Sequence, residues 1–296
     1  MADAAFAPAK VNLFLHVGAP GNDGYHPICS LMAFADVGDR VRTYEAEALE
    51  LALHGPFAVA LDGAGDNLVL KAARALIAEA RRPVQPLGLR LDKRLPVAAG
   101  LGGGSSDAGA ALRLLREALE LDLADAQLEA VAASLGADGA ACLWGRPVIA
   151  EGRGERLSPA PGLPVIDAVL VNPGVGVSTP EVYRAFDAGG RFGDVTPPVA
   201  PEAFEDATEL AAWLAMQRND LEPPALIVEP MVGDVLETLR GEPECLLARV
   251  SGSGGTCFAL CRSDIEAESL AERIEALAPA WWVQRCRLGG PWGDGG

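Results

Sequence analysis

The segment that most constrains this chain is a glycine-rich loop at residues 97–106, in which glycine occupies four of the five positions from 100 to 104. Apolar residues follow it at helical spacing: Ala108, Ala111, Leu112, Leu115 and Leu119. Two serines, Ser105 and Ser106, stand where the helix is expected to begin. Because glycine lets the backbone come close to a ligand and the helix dipole adds about half a positive charge at this end, the loop suits an anion.

A mobile turn between a strand and a helix is the alternative interpretation of this loop, but its density of glycine and serine favours phosphate binding. Its spacing fits neither G-x-x-x-x-G-K-[ST] nor G-x-G-x-x-G, which argues against a P-loop NTPase and a Rossmann dinucleotide site. The chain also lacks G-x-S-x-G, which argues against an α/β-hydrolase. Taken alone, the loop predicts phosphate binding without identifying the phosphate.

Hydrophobic periodicity predicts the elements of the N-terminal half. Alternation over residues 6–17 indicates a strand, an apolar stretch follows at 28–37, and the run at 40–53 indicates a second strand. A helix is expected at about 67–80, capped by Asp66 or Asn67. A later helix has the buried stripe Leu128, Val131, Ala132 and Leu135, with Gly136 as its cap and Asp138 just past its end.

Residues 151–164, rich in Gly, Pro, Arg and Glu, are the best candidate for a domain boundary. A second α/β unit is expected beyond it, with strands at 164–172 and 281–288 and a strand, glycine turn and strand at 246–261. One helix starts at Thr179-Pro180-Glu181, before a loop at 189–201, and another runs from the capping box Ser263–Glu266 to about residue 278. The tail at 289–296 is expected to be disordered.

The charge of the chain excludes some partners. Lys and Arg number 24 against 41 Asp and Glu, a formal charge of −17 that repels nucleic acid over most of the surface. A small phosphorylated ligand stays compatible, because distant charges are screened within about 10 Å and backbone N–H groups act locally. No apolar run approaches 18 residues and the N-terminus does not resemble a signal peptide, so we expect a cytoplasmic protein outside the membrane.

Cysteine and histidine usage points to no structural metal. The six cysteines include no C-x-x-C pair, and several lie in apolar runs, so buried free thiols in a reducing compartment are expected. The three histidines are not at i, i+4 spacing within a helix, which argues against a His-rich zinc site.

Other candidate residues are ambiguous when each is read alone. The cluster at 251–256 fits a plain hairpin turn as well as a ligand site. Lys10 next to Asn12 fits a solvated lysine on an exposed strand face, and Asp138 fits a turn residue. Tyr25-His26 fits a pair that packs a loop onto the core.

Taken together, these segments resemble the GHMP kinase superfamily. The residues concerned are Pro8-Ala9-Lys10-Val11-Asn12-Leu13, Asp23-Gly24-Tyr25-His26, positions 96–107 and positions 251–256. Within the superfamily they are most similar to the kinases of cytidine diphosphate methylerythritol in the non-mevalonate route to isoprenoids. The resemblance implies an α+β, two-domain GHMP kinase fold. Its N-terminal domain, of the ribosomal protein S5 domain 2-like type, is expected at 1–157 with the ATP loop and catalytic residues, and a ferredoxin-like C-terminal domain at 158–296.

The resemblance also implies an activity, which uses ATP and Mg²⁺. The γ-phosphoryl group of ATP passes to the 2-hydroxyl of the methylerythritol moiety, with Asp138 and Lys10 as catalytic residues. Because the transition state of phosphoryl transfer is loose, Asp138 is expected to orient the hydroxyl as much as to take its proton. Directly after Asp138 the chain has Gly139-Ala140, where relatives carry Val-Pro.

Binding residues follow from the same resemblance. The ATP-binding residues are Asn67, Leu68, Lys93, Pro96, Gly100, Leu101, Gly102, Gly103, Gly104, Ser105 and Ser106. The substrate-binding residues are Asn12, Tyr25, His26, Thr179, Tyr183, Gly252, Ser253 and Gly254. Among them His26 is expected to hydrogen-bond cytosine, with Tyr25 and Tyr183 stacking on it. The metal ligands are unassigned, and a monomer or weak dimer is expected.

Two rival functions remain. Another GHMP kinase, for mevalonate, homoserine or a sugar, would leave Tyr25-His26 without an obvious task. A non-catalytic nucleotide-binding regulator would be favoured if Lys10 or Asp138 were lost, and both are present.

Overall fold

The structure, a computed structural model, describes residues 4–61 and 67–293. Within these ranges ten strands form one sheet, in which the order β3-β4-β2-β10-β7-β9-β8 runs from edge to edge, β1 and β5 pair with β2, and β6 pairs with β5. The strands are β1 (Ala4–Val17), β2 (Ile28–Glu45), β3 (Glu50–His54), β4 (Leu87–Asp92), β5 (Val148–Gly152), β6 (Arg156–Pro159), β7 (Ile166–Asn172), β8 (Leu247–Val250), β9 (Cys257–Leu260) and β10 (Trp282–Gly289).

Helices from both halves of the chain cover the sheet. They are α1 (Leu68–Glu79), α2 (Gly103–Ala118), α3 (Asp125–Leu135), α4 (Gly139–Trp144), α5 (Thr179–Gly189), α6 (Ala207–Ala215), α7 (Glu222–Val228), α8 (Pro230–Gly241) and α9 (Asp264–Leu277). Helices α1 to α3 share a core with the N-terminal strands, and α5 and α7 to α9 share one with β7, β8 and β9. Among these described helices, none has the length and apolar character to cross a membrane.

Strand β2 organises the N-terminal half, because β1, β4, β5 and β10 all pair with it. The sequence predicts a strand at 40–53 that is separate from the apolar stretch at 28–37, and this is wrong: β2 runs from Ile28 to Glu45, and β3 is a separate short strand parallel to β4. The expected break fell at Gly38, which makes no turn. Gly38 instead allows close approach to β1, since a Cβ there would lie 2.1 Å from the carbonyl oxygen of Ala7.

Local signals predicted several helix ends correctly. Asn67 caps α1 by accepting a hydrogen bond from Val69 N at 2.8 Å, whereas the alternative cap, Asp66, lies outside the described residues. Helix α9 begins after Ser263, whose hydroxyl accepts from Glu266 N at 3.3 Å. Helices α6 to α8 had no counterpart in the sequence prediction, which assigned nothing between residues 202 and 245.

The two halves of the sheet meet at β10. This strand pairs with β7 along its length and with β2 through Leu288–Ala35 and Gly289–Phe34. Residues 151–164, predicted as a domain boundary, contain β6, which pairs with β5 on the N-terminal side. A division between 157 and 158 would fall within β6, and it stays a prediction.

The tail predicted as disordered at 289–296 is ordered over its described part. Gly289 ends β10, and the indole N–H of Trp292 donates to the carbonyl oxygen of Phe34 at 2.8 Å. A partly buried indole with a satisfied N–H holds this segment against the sheet. Residues 294–296 lie outside the described residues.

An ion cluster lies beneath the start of α2. The ammonium of Lys93, just after β4, donates to Asp39 Oδ2 at 2.5 Å and to Asp107 Oδ2 at 2.7 Å. All three side chains are at most 3% exposed. The second oxygen of Asp39 accepts the backbone N–H groups of Arg94 and Leu95 at 2.5 and 2.8 Å. The cluster therefore links β2, the segment after β4 and the first turns of α2.

The charges in this cluster depend on one another. Burial would lower the pKa of Lys93, but Asp107 and Asp39 outweigh it, so the pKa is raised and the ammonium stays charged. Burial, followed by repulsion from Asp39, raises the pKa of Asp107 well above its usual range, against the opposing effect of Lys93. Removing the ammonium would leave two buried carboxyl groups facing each other.

We therefore expect Lys93→Met to lower the free energy of unfolding by about 3–5 kcal/mol, the usual effect of removing one partner of a buried ion pair. Urea unfolding followed by circular dichroism measures it. The control is Arg74→Met, which removes a cation from the exposed face of α1 and should change stability by less than about 0.5 kcal/mol. Equal stability of the two variants would contradict a linking role for Lys93.

Candidate functional site

A cavity of about 1120 Å³ lies between the N-terminal and C-terminal parts of the molecule. Every sequence-predicted site residue lines it except Ser106 and Gly254. Those that line it are Lys10, Asn12, Tyr25, His26, Asn67, Leu68, Lys93, Pro96, Gly100, Leu101, Gly102, Gly103, Gly104, Ser105, Asp138, Thr179, Tyr183, Gly252 and Ser253. Residues as far apart in sequence as Lys10 and Ser253 thus converge on one cavity.

Lys10 is one of two buried lysines that line the cavity, the other being Lys93. It lies on β1 between two irregularities in the pairing with β2, and it is only 4% exposed, which excludes the solvated lysine considered above. Its ammonium lies 3.2 Å from Asp138 Oδ2 and donates to Asn12 Oδ1 at 2.6 Å. Asn12 in turn donates to Ser30 Oγ at 2.7 Å, so the ammonium is held from two sides.

Asp138 immediately precedes α4 without capping it, which leaves its carboxylate for Lys10. Its side chain is 29% exposed and therefore reaches the cavity. Gly139, the first residue of α4, has a steric reason: a Cβ there would lie 1.9 Å from the carbonyl oxygen of Ala132. Glycine lets α4 begin directly against the backbone of α3, and this close packing positions Asp138.

The two glycine clusters pack against each other. Gly100 has a φ of +74°, and a Cβ there would lie 2.3 Å from the carbonyl oxygen of Ser251. The Ser251 hydroxyl donates to Gly100 O at 2.9 Å, and Thr256 N donates to Ala99 O at 3.0 Å. The cluster at 251–256 is therefore more than a hairpin turn, because its hydrogen bonds to Ala99 and Gly100 hold the first glycine loop in place.

Helix α2 begins at Gly103, inside the loop and earlier than the sequence suggested. Gly102 has a φ of +61° and turns the chain into the helix. The first intrahelical bond runs from Ser106 N to Gly102 O at 2.9 Å, so the preceding N–H groups, at positions 103–105, have no partner within the helix. These N–H groups and the Ser105 side chain lie at the edge of the cavity. Together they can bind an anion there.

Two predicted residues do not line the cavity. Ser106 is fully buried within the first turn of α2. Gly254 points away, since a Cβ there would contact Ala225 and Val250 at 3.2 and 3.3 Å. Both residues shape the loops, and neither presents a side chain to the cavity.

Aromatic rings line the other end of the cavity. The rings of His26 and Tyr183 lie 5.2 Å apart, and the ring of Tyr25 is 60% exposed at the cavity wall. Burial, with smaller effects from Asp138 and Asp187, raises the pKa of Tyr183 to about 12, so this phenol is neutral at physiological pH. The arrangement offers two ring faces and a histidine to a flat ligand.

Four charged residues of the cavity were missed by sequence reasoning: Asp107, Arg153, Arg184 and Asp187. Arg153, between β5 and β6, stacks on Tyr25 with its guanidinium carbon 4.2 Å from the ring centroid. No motif contains it, and only the pairing of β5 and β6 brings it there. Asp187 could have been found, because it lies four residues after Tyr183 on α5 and so shares its helix face.

The cysteines and acidic residues indicate no prebuilt metal cluster. Among the described residues, no group of three or more His, Cys, Asp or Glu could hold a metal ion. All six cysteines are free, and five of them are buried, as the sequence predicts.

Comparison with known proteins identifies the family. The GHMP kinases N terminal domain matches residues 67–146, and GHMP kinases C terminal matches 201–280. A 4-diphosphocytidyl-2-C-methyl-D-erythritol kinase of Caulobacter vibrioides (strain NA1000 / CB15N) is 63% identical over 285 residues, 96% of this chain and 98% of the relative. One from Cereibacter sphaeroides (strain ATCC 17025 / ATH 2.4.3) is 48% identical over 97% of this chain and 99% of the relative.

Solved structures agree with these matches. A crystal structure of 4-(cytidine 5'-diphospho)-2C-methyl-D-erythritol kinase superposes with a TM-score of 0.78 at 34% identity, covering 97% of this chain and 100% of that one. Homoserine kinase from Cytophaga hutchinsonii superposes with a TM-score of 0.68 at 19% identity, covering 98% and 96%, and shows the fold alone. The predicted superfamily and fold class are confirmed.

The contact between the glycine loops predicts a steep penalty for a side chain at Gly100. We expect Gly100→Ala to destabilise the protein by about 1–3 kcal/mol, because its φ is strained for alanine and the loops must separate. Gly241→Ala is the control: it ends α8 with no atom within 4 Å of the added Cβ and should be neutral or slightly stabilising. Thermal unfolding of both variants measures this, and matching midpoints would refute the contact.

Proposed function

Because the chain belongs to the GHMP kinase family, and within it to the 4-diphosphocytidyl-2-C-methyl-D-erythritol kinases, we propose an assignment of the cavity to the steps of that reaction. The enzyme transfers the γ-phosphoryl group of ATP to the 2-hydroxyl of 4-diphosphocytidyl-2-C-methyl-D-erythritol, giving the 2-phosphate and ADP. This reaction belongs to the non-mevalonate route to isoprenoid precursors. The observation that carries the assignment is the Lys10–Asp138 pair, at 3.2 Å, between a phosphate-binding end and an aromatic end.

The glycine loop binds the phosphates of ATP. Backbone N–H groups at 103–105 lack helical partners and face the cavity together with the Ser105 side chain. Asn67 and Leu68, at the start of α1, border the same end and would contact the adenosine. Lys93 contributes to ATP binding indirectly. Its ion pairs with Asp39 and Asp107 lie beneath the loop and fix the position of α2.

Asp138 acts on the 2-hydroxyl of the substrate. Its carboxylate accepts a hydrogen bond from the hydroxyl, orients the oxygen towards the γ-phosphorus and takes the proton as the new bond forms. Lys10 holds the carboxylate in place, and its charge stabilises the negative charge of the transferring phosphoryl group. Asn12 fixes the ammonium through its 2.6 Å hydrogen bond, so the pair is positioned before substrate binds.

Magnesium fits this site as a companion of the nucleotide. Mg²⁺ usually binds through one or two protein oxygens and completes its shell with phosphates and water. The phosphate end offers the Ser105 hydroxyl and Asp107 Oδ1, which is buried and lacks a hydrogen-bond partner among the described residues. Bound there, the ion would offset phosphate charge during transfer.

The aromatic end binds the cytidine. Tyr25 and Tyr183 offer ring faces for stacking, and His26 offers a hydrogen bond to the base edge. A mevalonate or homoserine kinase with the same fold would need no such end. The free cysteines and the acidic surface suit a cytoplasmic enzyme, and a monomer or weak dimer stays our expectation.

We expect Asp138→Asn to lower kcat by about 10²- to 10⁴-fold with little change in the KM for ATP, because it removes the proton acceptor and leaves the loop intact. ADP release with Mg²⁺-ATP and the diphosphocytidyl substrate measures it, beside homoserine and mevalonate. The control is Asp122→Asn, an exposed position outside the cavity. Full turnover by Asp138→Asn would exclude the assigned role, and wild-type preference for homoserine or mevalonate would exclude the function.

A further inference from the structure

Ser30 is a fully buried serine on β2 that contacts Asn12 and does not itself line the cavity. Its hydroxyl oxygen lies 2.6 Å from the carbonyl oxygen of Phe14, and a carbonyl oxygen carries no hydrogen. The hydrogen of the Ser30 hydroxyl therefore points at Phe14. The serine oxygen is left to accept a hydrogen bond from its second neighbour, Asn12 Nδ2, at 2.7 Å.

This arrangement determines which way the side-chain amide of Asn12 faces. Its NH2 group must lie on the Ser30 side, because the serine oxygen can only accept there. The amide oxygen, Oδ1, then faces the ammonium of Lys10 at 2.6 Å, and an ammonium can only donate. Every donor in this row meets an acceptor, and the direction of the row is set by a backbone carbonyl that cannot reverse its role.

The irregular pairing of β1 with β2 accounts for the two contacts of one serine. Asn12 pairs with Met32 and Phe14 pairs with Leu31, so β1 has an extra residue between these pairs. Such irregularities re-aim side chains and backbone groups in a sheet. Ser30, the next residue of β2, thereby contacts the side chain of Asn12 and the backbone of Phe14 at the same time.

The orientation of the Asn12 amide reaches the reacting centre through Lys10. An ammonium has three N–H groups. One donates to Asn12 Oδ1, and another faces Asp138 Oδ2 at 3.2 Å, which leaves the third for the transferring phosphoryl group. If the amide turned over, its NH2 group would face the ammonium, and the direction of the other two N–H groups would no longer be fixed.

We propose that Ser30 is a positioning residue for phosphoryl transfer, which fixes the Asn12 amide and, through it, the direction of the Lys10 ammonium. The inference rests on the proposed function, in which Lys10 and Asp138 act on the reacting groups. Ser30 lies behind Asn12 and outside the cavity, so it acts only through its neighbour. Its effect therefore belongs to kcat, because the groups that bind ATP and substrate stay in place.

Ser30→Ala removes the acceptor for the Asn12 amide. We expect kcat to fall by about 10- to 100-fold, because a small displacement of a catalytic group is costly. The KM values for ATP and for the diphosphocytidyl substrate should change little. Ser30→Thr keeps the hydroxyl and should retain most of kcat. The control is Ser134→Ala, which removes a hydroxyl that donates to the carbonyl oxygen of Val131 on α3, outside the cavity, and should leave kcat unchanged.

A double-mutant cycle distinguishes positioning through Asn12 from a general structural role. Asn12→Leu removes the amide, so adding Ser30→Ala to it should change kcat by less than about 2-fold. A serine that only stabilises the sheet would lower kcat by the same factor with and without Asn12→Leu. That result overturns the proposal, and so does a wild-type kcat in Ser30→Ala.

The orientation of the amide can also be observed without turnover. The chain has five asparagines, so ¹⁵N-asparagine labelling gives few side-chain NH2 signals, and Asn12→Leu identifies the one from Asn12. We expect its protons to exchange slowly with water in wild type and in Ser30→Thr, and faster in Ser30→Ala. Equal exchange in all three proteins overturns the proposal.

The two measurements separate this inference from the proposed function. A wild type that transfers no phosphoryl group to the diphosphocytidyl substrate overturns the proposed function. Slow exchange that depends on the Ser30 hydroxyl would then still support the fixing of Asn12 by Ser30. Thermal unfolding of each variant checks that the fold is retained.

Discussion

The buried contact of Lys93 with Asp39 and Asp107 determines where the glycine-rich loop and the start of α2 lie. It joins the middle of β2 to the first turns of α2, and a Cβ on Gly103 would lie 2.9 Å from the Lys93 ammonium. The first turn of α2 can therefore pack against the ion cluster only because residue 103 is a glycine. A buried cation between two carboxylates is strongly directional, so the unpaired N–H groups of α2 point to one place in the cavity.

The second constraint is the contact between the two glycine clusters, which joins the N-terminal and C-terminal parts at the site itself. Gly100 lies against Ser251, and the same serine hydroxyl is 3.2 Å from the backbone N–H of Asn12, next to Lys10 on β1. The phosphate end and the ion pair are thus built on one packed layer of backbone. Phosphoryl transfer depends mainly on positioning and electrostatics, and this packed layer fixes the positions of the groups that supply them.

How much could be predicted from the sequence depended on whether the cause was local. Strand β1, the cap at Asn67 and the start of α9 follow from alternation and capping, which act within a few residues. The continuity of β2 through Gly38 depends on contact with β1, and the position of Arg153 depends on strand pairing, so neither has a local signal. The motif residues were found because they lie in short segments. Asp187 was missed although its position one turn after Tyr183 on α5 was a local signal; its contact with His26 joins segments far apart in the sequence.

The electrostatics of the site show why net charge is a poor guide to ligand. The chain carries a formal charge of −17, yet its cavity binds two polyphosphates in the proposed reaction. Its two lysines do not provide a general positive field, because Lys10 contacts Asp138, and Lys93 contacts Asp39 and Asp107. The two arginines of the aromatic end are paired as well, Arg153 with Asp23 and Arg184 with Glu181. The attraction therefore comes from the N–H groups of α2, which act over a few ångströms. Binding by such short-range groups requires a close fit between the ligand and the cavity. A close fit allows the cavity to select one nucleotide and one base, whereas a positively charged surface would attract any anion.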